Sequence, residues 1–245
     1  MKRLLLLIAL LLPFMAIDAS AMHIMEGFLP ASWCLVWYLV ALPFLFLSFR
    51  FIQKGIRADG RNRIKLALSA AFIFILSALK LPSVTGSSSH LTGTTFGALT
   101  FGPRAIPLLG AIVLLFQALL LAHGGLTTLG ANTVSMAVVG PWVGYWTYLL
   151  IRKLKGGNTI AIFVAAFLGS LSTYVCTSIQ LAVAFPDTIG GVWASFVKFI
   201  SIFAVTQVPL SIVEGVITVL VIRLLSSIES FPILSKGIAV QEEKL

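Results

Sequence analysis

The chain has 245 residues, of which 59% are hydrophobic and only 10% charged, and its mean hydropathy is +1.05. Globular domains carry about 45–50% apolar and about 25% charged residues, so this composition excludes an ordinary cytosolic enzyme. Seventeen basic against eight acidic residues give a net charge of +9, but the cations bracket long uncharged runs, so their sign reports membrane orientation rather than nucleic-acid binding.

Residues 1–21 read as a secretory signal peptide: Lys2 and Arg3 supply the charged start, 4–15 the apolar stretch, and Ala19-Ser20-Ala21 the small-residue cleavage pattern. A retained anchor is the alternative, but the apolar run falls short of the ~20 residues that span a bilayer. Cleavage after Ala21 exposes Met22 as a free amine, followed at once by His23.

Seven apolar segments follow, at 31–49, 66–81, 91–103, 105–122, 131–151, 159–185 and 192–224. They predict an all-α membrane protein, a compact bundle of about seven transmembrane helices forming one domain over 22–245. Its outer parts are an N-terminal segment at 22–30 and a loop at 82–92, and 225–245 form a cytoplasmic tail. Arg50, Lys54, Arg57, Arg61, Arg63 and Lys65 are assigned to the first loop, and Arg152, Lys153 and Lys155 end the fifth segment. Short positive loops face the cytoplasm. With Met22 outside, thirteen of the fifteen basic residues after the signal fall inside, leaving Lys80 and Lys198 outside. The third segment, rich in Thr and Gly, suits a bundle interior better than lipid. The last is long enough to begin as an interfacial helix and to kink at Pro209. Cys34 and Cys176 stand alone and read as buried small hydrophobes.

Two of the three histidines, His23 and His90, fall on the same outer side. A terminal amine, the deprotonated amide nitrogen of the second residue and that residue's imidazole can close two fused chelate rings around one cation. His90 would complete a square of four nitrogens, a geometry suited to Ni(II) or Cu(II), with Co(II) reachable in a strong nitrogen field. The competing readings are a helix-anchoring His23 and a loop His90 bonded to adjacent serines. His123 lies at an outer helix end and reads as an interfacial or hydrogen-bonding residue ahead of a pocket-shaping one. Glu26 and Glu214 are carboxylates near or inside apolar segments, functional candidates by default. Glu26 either hydrogen-bonds the N-terminal segment and holds it over the site or is an exposed interfacial residue, and Glu214 makes a polar contact within the bundle or with another subunit.

No GxxxxGK[ST], HExxH, GxSxG or GxGxxG pattern occurs, so the chain carries no visible ATPase or hydrolase of its own. A stand-alone permease or channel would need a continuous polar path, for which Gln117, Gln180, Gln207, Glu214 and the Thr-rich segment offer little. An intramembrane hydrolase using Ser87, Ser88 or Ser89 with His90 lacks an evident oxyanion site.

Several blocks resemble the cobalt and nickel substrate-capture subunits of energy-coupling-factor transporters, the CbiM and NikM family. They are Met-His-Ile-Met-Glu-Gly-Phe-Leu-Pro from Met22, Ser-Ala-Leu-Lys-Leu-Pro-Ser-Val-Thr-Gly-Ser from Ser77 leading to His90, and the block from Leu114 through His123-Gly124-Gly125 to Asn132. Ser135 to Trp142, and Phe203 to Pro209 with Glu214-Gly215, extend the likeness. The resemblance implies a metal site at Met22, His23 and His90 for Co(II) or Ni(II), with no catalytic residue. It further implies a coupling membrane subunit, two ATP-binding subunits and a small accessory membrane subunit as partners. The cobalt branch feeds cobalamin biosynthesis. Many relatives begin directly at the Met-His pair, so here metal binding depends on cleavage at Ala21.

Overall fold

The structure is a computed structural model that describes residues 20–21, 23–79, 81–82 and 87–226. Seven helices are formed among the described residues: α1 (Ala31–Ala58), α2 (Asn62–Ala78), α3 (Thr94–Phe101), α4 (Ile106–Leu121), α5 (Leu129–Lys153), α6 (Asn158–Ala184) and α7 (Gly191–Ser226). They coincide with the seven apolar segments. Three two- or three-residue strands, β1 (Ser20–Ala21), β2 (Leu81–Pro82) and β3 (Ser87–Ser89), form a small sheet in the order β1-β3-β2.

Seven helices are present as expected, and one expectation, that of the basic first loop, needs correction. Among the described residues α1, α4 with its preceding turn, α5, α6 and α7 are long and apolar enough to be candidate membrane spans. The 17-residue α2 is a little shorter, and α3 has eight residues, all buried. The basic first loop is mostly helix: α1 runs on through Arg50, Lys54 and Arg57 to Ala58, and α2 starts before Arg63. The cations that mark the end of an apolar run do not end its helix, because solvated Lys and Arg are good helix formers.

Polarity is distributed opposite to that of a soluble bundle. Leu35, Phe46, Leu120 and Leu220 are each 59% exposed or more, whereas Ser77, Gln117, Ser178, Gln180, Gln207 and Thr218 are buried. Lipid tails are as apolar as leucine, so membrane helices associate through small-residue packing and interhelical hydrogen bonds instead. The Thr/Gly-rich α3 shows this. Thr95 packs so closely on Gly144 of α5 and Gly169 of α6 that a methyl at either glycine would meet its hydroxyl at 2.7 or 2.2 Å.

Helix punctuation places both ends of the bundle. Gly102, at φ 85°, stops α3, and Pro103 at the first position of a 3₁₀ turn starts the chain back into α4. Within α5 the backbone widens to a π-helix over Thr133–Val139 directly before Pro141. A proline lacks its N–H and crowds the carbonyl four residues earlier, so the widened turn relieves a clash that would otherwise break the helix. The helix α7 runs unbroken through Pro209. As a result, the start of α1, the chain before α3, the end of α4 and the start of α5 converge at one end. Arg50, Lys54, Arg57, Arg104, Arg152 and Arg223 lie at the other.

Candidate metal site

His23 and Ile24 are both buried, and the short arm they begin is held down by the connection between α4 and α5. The Asn132 side chain accepts from the Ile24 N–H at 2.8 Å and donates to the Ile24 carbonyl at 3.0 Å, and the Thr128 hydroxyl donates to the same carbonyl at 2.6 Å. The Glu26 N–H donates to the Gly124 carbonyl at 3.2 Å, and the Thr127 N–H donates to the Glu26 carboxylate at 3.0 Å. Gly125 permits this contact, since a Cβ there would sit 2.5 Å from Cα of Glu26. The Thr127 hydrogen bond holds the Glu26 carboxyl below its ordinary value of 4.5. Glu26 thus ties the arm to Thr127 from its exposed side.

His90 arrives from β3. Its carbonyl accepts the Tyr174 hydroxyl of α6 at 2.8 Å, and the next turn is bound to α7: Glu214 accepts from Thr92 N–H at 2.8 Å, the Thr92 hydroxyl at 2.5 Å and Gly93 N–H at 2.8 Å. Glu214 is therefore a polar contact within the bundle. His123 follows Ala122, whose left-handed φ of 47° ends α4 and turns the chain inward.

These turns bring His23, His90 and His123 together, all buried, with one ring nitrogen from each within 4.8 Å of the others. The His23 and His90 rings stack at 4.5 Å, and His123 stands edge-on to both at 4.6 and 5.0 Å. His123 is thus part of the cluster and not an interfacial residue. Hydrogen bonds orient the first two rings. His90 Nδ1 lies 2.8 Å from the Leu91 carbonyl, which can only accept, so this nitrogen donates there and Nε2 is the atom left to face His23. His23 Nε2 faces the Met136 thioether at 3.1 Å, and His23 Nδ1 lies 3.0 Å from His90 Nε2. Metal–nitrogen bonds of about 2.0–2.1 Å at right angles place two nitrogens about 2.9 Å apart. The observed 3.0 Å is a hydrogen-bond length and also matches the separation of two neighbouring ligand nitrogens on one ion. Met22, the third predicted metal residue, lies outside the described residues, as do 1–19, 83–86 and 227–245 of the predicted signal, loop and tail.

The same contacts dispose of a serine–histidine pair involving Ser89. Its hydroxyl is 2.8 Å from that of Thr206, while both His90 ring nitrogens face other groups. The described residues thus bring three buried histidines together at one end of a lipid-suited bundle, a group whose ring nitrogens could hold a metal ion.

Residues 23–230 match the family model described as the cobalt uptake substrate-specific transmembrane region, CbiM. The chain belongs to this CbiM family. A cobalt transport protein CbiM from Kyrpidia tusciae is 57% identical over 237 residues, covering 97% of this chain and 96% of that protein. A CbiM from Nostoc sp. is 60% identical over 209 residues, covering 85% and 80%. A solved transition metal transporter in truncated form superposes with a TM-score of 0.73 at 29% identity, covering 84% of this chain and 98% of that one. This CbiM-family chain is accordingly a membrane protein and a metal-transporter component.

Sequence reasoning gave no role to two residues that contact the arm of His23 and Ile24. Met136 approaches His23 from 113 positions away, and Asn132 approaches Ile24 from 108. The signal available was local: Asn132 immediately precedes the π-helical stretch and Met136 lies within it, a feature frequent at functional sites, but hydropathy alone does not reveal it.

Proposed function

We propose that this chain is the substrate-binding subunit of an ATP-driven, energy-coupling-factor importer of Co(II), supplying cobalamin biosynthesis. In this reading the signal peptide is removed after Ala21, and the ion is held by the Met22 amine, the His23 amide nitrogen and Nδ1, and His90 Nε2. Within the tridentate group Nδ1 is the imidazole atom that closes the six-membered ring, and the fourth position lies beside it. The observation that carries the proposal is that His23 Nδ1, and not Nε2, is the atom set 3.0 Å from His90 Nε2. The Leu91 and Met136 contacts supply the outer partners that fix ring orientation and tautomer at metal sites.

The protein resides in the cell membrane, with the mature N-terminus outside and the C-terminus in the cytoplasm. The division between a histidine end and an arginine end of the bundle supports that orientation. Capture occurs outside, ATP hydrolysis in two partner subunits drives reorientation through a coupling membrane subunit, and a small accessory membrane subunit completes the complex. The chain itself is no enzyme. Ni(II) accepts the same four nitrogens.

The test is equilibrium Co(II) and Ni(II) binding by purified protein beginning at Met22, beside the same chain with one alanine added before Met22. Binding lost on that addition supports the amine as a ligand. Equal binding by both removes the amine from the site, and no binding by either overturns the proposal.

A further inference from the structure

At the end of the bundle opposite the histidines, a cleft of about 420 Å³ is lined by Arg50, Phe51, Gln53, Lys54, Arg57 and Arg104. Arg50, Lys54 and Arg57 recur at helical spacing on one face of α1, and Arg104 comes from the turn between α3 and α4. All four of these basic residues are exposed. Among the described residues none of Arg50, Lys54 and Arg57 has a carboxylate within ion-pair distance, and the nearby Asp59 pairs instead with Arg61 at 3.7 Å. Like charges at such spacing repel across a helix face. Arg50, which also lies 5.6 Å from the Phe46 ring centroid, Lys54 and Arg57 thus concentrate positive charge along one wall of the cleft.

A second hollow of about 190 Å³ continues from it, sharing Phe51 and Arg104 and walled by Trp142, Tyr145, Trp146 and Leu149 of α5. Trp146 is 59% exposed on the outer surface of the bundle. Tryptophan and tyrosine concentrate at the level of lipid headgroups, and basic pockets between membrane helices bind anionic headgroups. A soluble anion would use the cationic cleft alone and leave the aromatic extension without a function.

We infer that this joined cleft is a binding site for one anionic phospholipid, its phosphodiester among Arg50, Lys54, Arg57 and Arg104 and one acyl chain along Trp142, Tyr145 and Trp146. The site is separate from the histidine cluster and does not rest on the metal assignment. It gives the basic end of the bundle a specific attachment to the anionic leaflet.

The test uses the full chain in nanodiscs of phosphatidylcholine containing phosphatidylglycerol, with bromine on the acyl chains of one lipid or the other. Brominated phosphatidylglycerol is expected to quench Trp142 and Trp146 more than brominated phosphatidylcholine at equal density, and W142F/W146F removes the excess. Each of R50Q, K54Q, R57Q and R104Q is expected to lower phosphatidylglycerol preference roughly fivefold. These are exposed side chains, and unchanged circular dichroism and size-exclusion elution verify the fold. Equal quenching by the two lipids overturns the proposal. So does loss of the preference on adding inorganic phosphate at constant ionic strength, which would make the cleft a soluble-anion site. Variants that keep the lipid preference but no longer assemble with other membrane subunits would assign the cleft to a protein contact instead.

Discussion

His90 Nε2 lies 3.0 Å from His23 Nδ1, although 67 residues separate the two in the chain. With the His90 proton committed to the Leu91 carbonyl, these atoms meet productively through a shared proton or a cation that both ligate. His90→Ala removes one of the two while leaving the arm's own contacts in place. Its Co(II) affinity is expected to fall by more than the roughly 10–100-fold that loss of an outer partner costs, as measured by titration calorimetry. An unchanged affinity would detach His90 from the metal.

Gly125→Ala tests whether the arm must be seated for binding. The added methyl would sit 2.5 Å from the Glu26 backbone, which cannot yield as a flexible side chain can. The arm is then displaced, and Co(II) affinity is expected to drop about tenfold or more. Gly60→Ala, where a Cβ meets nothing within 4 Å, is the matched control and should bind as the parent does. Equal binding by the two variants would separate arm position from metal capture.

All seven helices were legible as apolar runs because lipid and bundle interior both demand low charge. The enclosure of α3 was legible too, since its short Thr- and Gly-rich run suits a bundle interior, and all eight of its residues are buried. At the site, His23 and His90 were recognisable by the chemistry of an N-terminal Met-His pair. The inward turn of His123 depends on one left-handed residue, Ala122, for which an alanine gives no warning. The Asn132–Ile24 clamp joins positions more than a hundred residues apart, a pairing that periodicity cannot report.

Glu214→Gln should destabilise the chain between His90 and α3. The carboxylate accepts three hydrogen bonds from Thr92 and Gly93, and an amide must turn its NH₂ toward at least one of those donors. A buried donor left without an acceptor costs about 1–3 kcal/mol. Thermal unfolding in detergent should show a lower midpoint for this variant, and an unchanged midpoint would mean that the turn is held by packing alone.

The Glu26 tether predicts how the arm responds to acid. Its carboxyl is held below the ordinary 4.5 by hydrogen bonding to Thr127, so the charged form is favoured when the arm is docked. A lowered carboxyl contributes stability that is full above the unfolded value and lost as pH falls through the docked one. Arm protection, followed by hydrogen exchange of the Glu26 and Gly27 amides, is therefore expected to stay flat from neutral pH to near 5 and to decline below it. Glu26→Gln should lessen this decline, and the effect should be small because the group is largely exposed.

His123→Phe addresses the ring that the sequence did not place in the site. The substitution keeps an aromatic ring against His23 and His90 but removes both nitrogens, which separates filling space from coordinating or hydrogen bonding. His123 is fully buried and offers a ring nitrogen within 4.8 Å of theirs, close enough to act on a bound ion directly or through one bridging water. The expected result is a shifted visible spectrum of bound Co(II) and a loss of affinity of about tenfold, with the helical content of the parent retained. A spectrum and affinity identical to the parent's would show that His123 serves only as a wall. His123→Ala would then be the more damaging change, because it opens a cavity beside the stacked pair.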